Sequence, residues 1–344
     1  MRTIDWIAAG DGQPGHIRMI DQTALPAETT LLDIHTVGDL IAAIRRLSVR
    51  GAPALGVAGA MGVVLAAQQY DGDAVARAAA RLRMARPTAV NLSVGVDRAL
   101  TGWRSDGTRG ALQAALALRD EDIEACTRMA ARGAELVRSL VPDADRRITA
   151  LTICNTGALA AVEHGTALGV IEKLHVDGAL ELALACETRP LLQGARLTTW
   201  ELAAMGAPHE LIIDSAATGI LAAGDVDVVL VGADRIAANG DTANKIGTFT
   251  LAVAAGYAGV PFVVVAPEST VDPSTPSGAD IEIEDRGPGE VIGYAGTATA
   301  PAGTAARNPA FDVTPAALIT AIVTERRTVR PARGEAPCVP SESA

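Results

Sequence analysis

Asp234 and Lys245 are the first residues of this sequence whose type and setting suggest chemistry. They belong to the stretch VDVVLVGADRIAANGDTANKIG, Val226–Gly247. An apolar, β-branched run, Val226 to Val231, breaks into a loop carrying Asp234, Arg235, Asn239, Asp241, Asn244 and Lys245. A buried strand that delivers a carboxylate and an ammonium at its carboxyl end is how a parallel α/β sheet builds a site. Lys245 is also rare, one of two lysines against 27 arginines. Taken alone, the loop is equally consistent with Asp234 capping a helix and Lys245 pairing with it at the surface.

The surrounding elements favour chemistry. Between residues 148 and 266 the pattern strand, loop, helix repeats. Strands are predicted at Ile148–Cys154, Leu180–Cys186, Glu210–Asp214, Val226–Gly232 and Val260–Ala266. Helices are predicted at Gly157–Lys173, Pro190–Met205, Ser215–Ala223 and Lys245–Ala258. Alternating β and α units imply a parallel sheet with helices on both faces. Parallel strands end on one edge, so the residues just beyond each strand should converge: Cys154-Asn155-Thr156-Gly157, then Cys186-Glu187-Thr188-Arg189 with Gln193 beyond it, then Asp214, then Asp234. Either Cys154 or Cys186 reads as a buried, inert thiol or as a thiol activated by a nearby helix N-terminus. Asn155-Thr156-Gly157 offers backbone N–H groups to a phosphate, although no GxxxxGK[ST] or GxGxxG motif is present.

The first part of the chain has a different grammar. WIAA, HIRMID and TLLDIH read as short strands of a β ribbon. Thr36 caps a helix over VGDLIAAIRRLSV, and Pro53 opens another over Ala54–Gln69. Asp73–Ala85, Thr88–Trp103 and Ala111–Leu140 continue in helices. Arg50 at the start of RGAP is either a surface charge or an anion holder at a helix N-terminus. The expected layout is a helical N-terminal domain with a β ribbon (1–142), an α/β domain (143–327), and a disordered tail (328–344) rich in Pro, Arg, Glu and Ser. Residues 308–326 are expected to hold a helix opened by Thr314-Pro315.

Composition narrows the function. The 344 residues are 49% hydrophobic but only 3% aromatic, so the core must be built from Ala, Val, Leu and Ile. A net charge of −11 argues against non-specific nucleic-acid binding. No uninterrupted apolar run reaches the length of a membrane span, and the N-terminus lacks a signal-peptide core, so a cytoplasmic protein is expected. The four cysteines, 126, 154, 186 and 338, have no CxxC spacing, and neither a structural metal nor a cofactor is indicated.

Six stretches resemble the methylthioribose-1-phosphate isomerases, relatives of the regulatory subunits of translation initiation factor 2B. They are RGAPALGVAGA (50–60), CNTGALA (154–160), HGTALGVI (164–171), ETRPLLQGARLTTWEL (187–202), GADRIAANGDTANKIGTF (232–249) and NPAFDVTP (308–315). The resemblance implies a Rossmann-like second domain, a homodimer and a sugar-phosphate substrate. It implies Cys154 and Asp234 as the catalytic pair, and Arg50, Gly51, Ala52, Arg86, Gln193, Asn244 and Lys245 as substrate-binding residues. Two positions depart from the family pattern: Ile153 where a histidine is usual, and Cys186 where an aspartate is usual. Isomerisation of 5-deoxyribose 1-phosphate or ribose 1,5-bisphosphate, or a non-catalytic regulatory role of the initiation-factor type, are the competing expectations.

Overall fold

The computed structural model describes residues 2–10, 12, 14–87, 89–141, 146–294 and 296–338. Its contacts divide the chain into two units, Met1–Thr127 with Thr156–Gly165, and Arg128–Asn155 with Thr166–Ala344. The expected domain break at 142–143 lies outside the described residues.

In the first unit, β1 (Ile4–Ile7), β2 (His16–Ile20) and β3 (Leu31–Ile34) form an antiparallel sheet. Helix α1 (Val37–Arg45) starts where expected, because the Thr36 hydroxyl accepts the Asp39 N–H at 3.1 Å. Helix α2 (Ala52–Gln69) has proline in its first turn. It is long and apolar enough to cross a membrane, but 72% of it is buried inside the protein, as in a core helix. Its buried residues are mostly Ala, Gly and Val, which is how a core with few aromatics is filled. Helices α3 (Asp73–Arg83) and α4 (Val90–Leu140) come next, the latter broken by non-helical Asp106 and Gly107 and belonging to the second unit from Arg128 on.

The second unit is built on a seven-stranded sheet. Its strands are β4 (Ile148–Thr152), β5 (Leu180–Cys186), β6 (His209–Ile212), β7 (Val228–Val231), β10 (Phe262–Val265), β15 (Ala321–Val323) and β16 (Thr328–Val329). The spatial order is β16-β15-β10-β7-β4-β5-β6. All neighbours are parallel except β15 and β16. Every residue of β7 and β10 is buried, as expected for strands covered on both faces. The helices are α5 (Ala167–Val176), α6 (Thr199–Ala204), α7 (Ala216–Ala223), α8 (Thr248–Ala258) and the single turn α9 (Gly289–Ile292). A second sheet, in the order β11-β8-β9-β14, joins β8 (Arg235–Ala237), β9 (Thr242–Lys245), β11 (Val271–Asp272) and β14 (Phe311–Thr314). There is also a hairpin of β12 (Gly293–Tyr294) and β13 (Thr297–Ala298). The α/β class, with helices ahead of a largely parallel sheet, is the one read from the sequence.

Four local expectations are corrected. The helix expected over Gly157–Lys173 begins only at Ala167. Residues 156–165 form turns instead, because their carbonyls are taken by long-range partners: Thr3 Oγ1 donates to Ala158 O, Gln22 Nε2 to Leu159 O, Ala54 N to Ala160 O and Thr3 N to Val162 O. Lys245 does not open a helix; it ends β9, and α8 starts after Gly247, whose φ is 102°. Over Pro190–Met205 only Thr199–Ala204 is α-helical, preceded by a π-turn at Gly194–Thr198. Residues 311–323 form β14, a short 3₁₀ turn and β15, since the β-branched residues there pair with β9 and β10. The expected disorder from 328 is also corrected as far as 338. Thr328–Val329 pairs with Ile322–Val323, burying Val329, and 339–344 lie outside the described residues.

Candidate active site

The sheet order fixes where a site belongs. From β4 the chain steps one way to β5 and β6, then returns to β7, β10 and β15 on the other side of β4. Parallel sheets bind ligands outside the carboxyl ends of their strands, at the point where the winding reverses. Here that point lies between β4 and β7, which pair directly at Ala150–Val228 and Leu151–Val229. Cys154 leaves β4 at this edge and Asp234 leaves β7 at the same edge.

Cys154 is 8% exposed and has a φ of 68°, in the left-handed region. For a non-glycine residue this costs about 1–3 kcal/mol and persists only when the surroundings hold it. Thr188 Oγ1 accepts the Cys154 N–H at 2.8 Å, and Thr198 Oγ1 donates to the Cys154 carbonyl at 2.6 Å. Thr188 has a φ of 65° and Leu192 of 55°, so three left-handed non-glycine residues cluster at the ends of β4 and β5. The Asp214 carboxylate, beyond β6, accepts the N–H groups of Thr188 and Arg189, both at 2.7 Å. Activation of Cys154 by the next helix is overturned, since α5 starts only at Ala167. Asn155 turns its side chain inward, its amide donating to Glu201 at 2.6 Å.

Cys186 is fully buried, and that burial, with Asp214 and Glu187 nearby, pushes its thiol up to about 12. The reactive-thiol alternative for Cys186 is therefore overturned. Ile153 and Cys186 both belong to the apolar core of this unit with Leu151, Val229 and Val231. The two departures from the family pattern thus pack as core residues. Ile153 also borders the Lys245 loop, because a Cβ on Gly247 would lie 2.9 Å from Ile153 Cδ1.

Asp234 is exposed, and its N–H donates to Ala243 O at 2.9 Å, tying it to β9. Strand β9 presents Asn244 and Lys245, 3% and 8% exposed. Asn244 Nδ2 donates to Thr248 Oγ1 at 3.0 Å. Lys245 Nζ donates to Ala310 O at 3.0 Å and lies 4.7 Å above the centre of the Phe311 ring. An ammonium has three donors, and an aromatic face attracts a cation through its ring quadrupole. Register partner Asp312 accepts the N–H groups of Gly247 and Phe249 at the start of α8. Burial raises its carboxyl pKa despite those bonds and the nearby Lys245. Gln193 is 4% exposed, and its Oε1 is buried with no hydrogen-bond partner, an unmet acceptor of the kind a ligand hydroxyl would satisfy. Thr188, Thr198, Phe311 and Asp312 carry much of this geometry and were missed as individual residues. Their only signal was membership of the stretches 187–202 and 308–315.

In the first unit, Gly51 caps α2 with a φ of 90°. A Cβ there would lie 2.2 Å from Ala160 O, so only glycine fits. Arg50 Nε donates to Gln22 Oε1 at 3.3 Å, and Gln22 is anchored on Leu159 O. Arg50, Gly51 and Ala52 therefore stand at the N-terminus of an 18-residue helix, where the positive end of the helix dipole favours anions, although Pro53 has no N–H and Ala54 N is taken by Ala160 O. Arg86 is half-buried after α3.

Comparison with known proteins shows the family and the fold. A family model described as the initiation factor 2 subunit family matches residues 48–331. The methylthioribose-1-phosphate isomerase of Anaeromyxobacter sp. (strain K) is 52% identical over 315 residues, 91% of each chain. A probable bifunctional methylthioribose-1-phosphate isomerase/methylthioribulose-1-phosphate dehydratase of Nocardia farcinica is 51% identical over 92% of this chain, which spans only 58% of that protein. The crystal structure of 5-methylthioribose 1-phosphate isomerase from Pyrococcus horikoshii superposes with a TM-score of 0.88 at 40% identity, covering 96% of this chain and 92% of that one. A structure described as translation initiation factor eIF-2B subunit delta from A. fulgidus superposes with 0.85 at 39% identity, covering 97% of both.

Proposed function

The chain belongs to the initiation factor 2 subunit family, and we propose that within it this protein is an aldose–ketose isomerase converting 5-methylthioribose 1-phosphate to 5-methylthioribulose 1-phosphate, a step of methionine salvage. One observation carries this reading: a thiol and a carboxyl group leave adjacent parallel strands at the reversal point of the sheet. The relatives named as this isomerase, at about half identity over nine-tenths of both chains, support the substrate.

The chemistry suits the residues. The anomeric oxygen of the substrate is esterified, so the ring cannot open to a free aldehyde while phosphate remains. Asp234 protonates the ring oxygen as general acid. That role requires a carboxyl group held protonated near neutral pH, which a low-polarity setting provides. Asp234 is exposed, so the bound sugar itself supplies that desolvation. Cys154 then takes the C2 proton, or stabilises positive character at that carbon if hydride moves to C1 instead. Reaction in deuterated water separates the routes: deuterium at C1 of the ketose marks proton abstraction, its absence marks hydride transfer. Lys245 and Asn244, with Arg50, Gly51, Ala52 and Arg86, are assigned to the substrate and its phosphate, and Gln193 to a sugar hydroxyl. Lys245→Met should raise KM by about 10–100-fold, the loss of one charge-assisted contact; steady-state kinetics checks this.

A homodimer is part of the proposal, supported by the exposed apolar stripe of Phe249, Val253 and Tyr257 on α8. The second reading, a regulatory subunit, is favoured by the likeness to the protein described as eIF-2B subunit delta, but the presence of Cys154, Asp234 and Lys245 speaks for catalysis. A panel of sugar 1-phosphates carrying methylthio, methyl or phosphate at C5, assayed for ketose, tests the proposal. Turnover fastest with methylthio is expected. Preference for another C5 group would reassign the substrate, and no ketose from any would favour the regulatory reading.

A further inference from the structure

We propose that Thr188 and Thr198 are positioning residues that lock the peptide of Cys154 in its left-handed conformation and so aim the thiol. The inference rests on the assignment of Cys154 to the reaction. Each hydroxyl is spent on the backbone: Thr188 accepts the Cys154 N–H, and Thr198 donates to the Cys154 carbonyl.

The polarity of both hydroxyls is fixed by their other partners. Thr188 Oγ1 donates its proton to Cys186 O at 3.0 Å, so only a lone pair faces the Cys154 N–H. Thr198 Oγ1 gives its proton to Cys154 O, and its lone pair receives the Asn155 amide at 3.4 Å, itself drawn toward Glu201. Both threonines are buried, 0% and 1% exposed, so water does not substitute for them. Thr188 is in turn held by Asp214, and its own φ is left-handed as well. A threonine on each side of one residue's backbone is more than the fold of the sheet requires. Strand β4 already pairs with β5 at each residue from Ile148 to Thr152 below this point.

The test uses Thr188→Val and Thr198→Val, which keep shape and delete the hydroxyl, beside Thr188→Ser and Thr198→Ser, which restore it. In the full-length chain, each valine variant should lower kcat by about 100-fold, the scale of a misplacement near 1 Å, with KM within about threefold. Each serine should recover most of the loss. Independently of turnover, alkylation of Cys154 by iodoacetamide, monitored by peptide mass spectrometry, should accelerate about tenfold in the valine variants as the clamp opens locally, and return in the serines. Wild-type kcat and wild-type alkylation in both valine variants would overturn the clamp. So would a parallel loss of kcat and affinity that serine does not rescue, which marks a merely structural role. If Thr188→Val does not fold, Thr198→Val decides by the same measurements. The alkylation readout keeps the clamp testable even if the wild-type chain proves inactive on sugar phosphates, an outcome that would count against the proposed function alone.

Discussion

Asp234→Asn is expected to lower kcat by about 10²–10⁴-fold, the contribution of a positioned general acid, with substrate affinity nearly unchanged. This corresponds to roughly 3–5 kcal/mol of transition-state stabilisation. The substitution is close to isosteric, and it keeps the bond from the backbone N–H of residue 234 to Ala243 O that ties it to β9. An amide still accepts and donates hydrogen bonds to a sugar but has no acidic proton for the ring oxygen. The loss should therefore fall on kcat rather than KM, which steady-state kinetics with binding calorimetry will separate. Near-normal turnover would remove Asp234 from the acid role.

Cys154→Ser should cost about 10³-fold or more in kcat, some 4 kcal/mol. The clamps on residue 154 hold its N–H and C=O, groups that serine keeps, so serine takes the same left-handed backbone. What changes is acidity and polarisability. A thiol ionises near pH 8.5 in the absence of perturbation, whereas a serine hydroxyl does not ionise in the accessible range. Whether Cys154 removes a proton or steadies a cationic carbon, oxygen is the poorer atom. A loss under tenfold, measured alongside unchanged thermal unfolding, would leave the thiol a packing residue.

The sequence is legible where its signal is strong. The central strands β4, β5, β7 and β10 are buried apolar runs, and their carboxyl ends align from the pattern alone. That is why Cys154 and Asp234 could be placed on one edge. The second sheet has no clear local signal because β8 and β9 are only three and four residues long, with Asn239, Gly240 and Asp241 between them, and β14, the partner of β9, lies far along the chain, as the bond from Gly247 N to Asp312 attests. Thr314-Pro315 has the look of a helix start, yet Pro315 opens only a 3₁₀ turn because β14 and β15 claim its flanks. Residues 157–165 were misread as helix because the hydrogen bonds that unwind them come from Thr3, Gln22 and Ala54. The left-handed backbone of Cys154 and Thr188 had no local sign either, since neither is glycine or asparagine. Ile153 and Cys186 depart from the family pattern. Both pack into the apolar core, where an isoleucine and a neutral thiol are at home.

The most direct measurement is a crystal structure of the full chain with the ketose product or a non-reactive substrate analogue bound. The account predicts the sugar beyond the carboxyl ends of β4 and β7, with Cys154 Sγ within about 3–3.5 Å of C1 or C2 and an Asp234 carboxyl oxygen as close to the oxygen at C4, the ring oxygen before opening. A sugar bound elsewhere in the chain, or one that only one of these two side chains can reach, would contradict it.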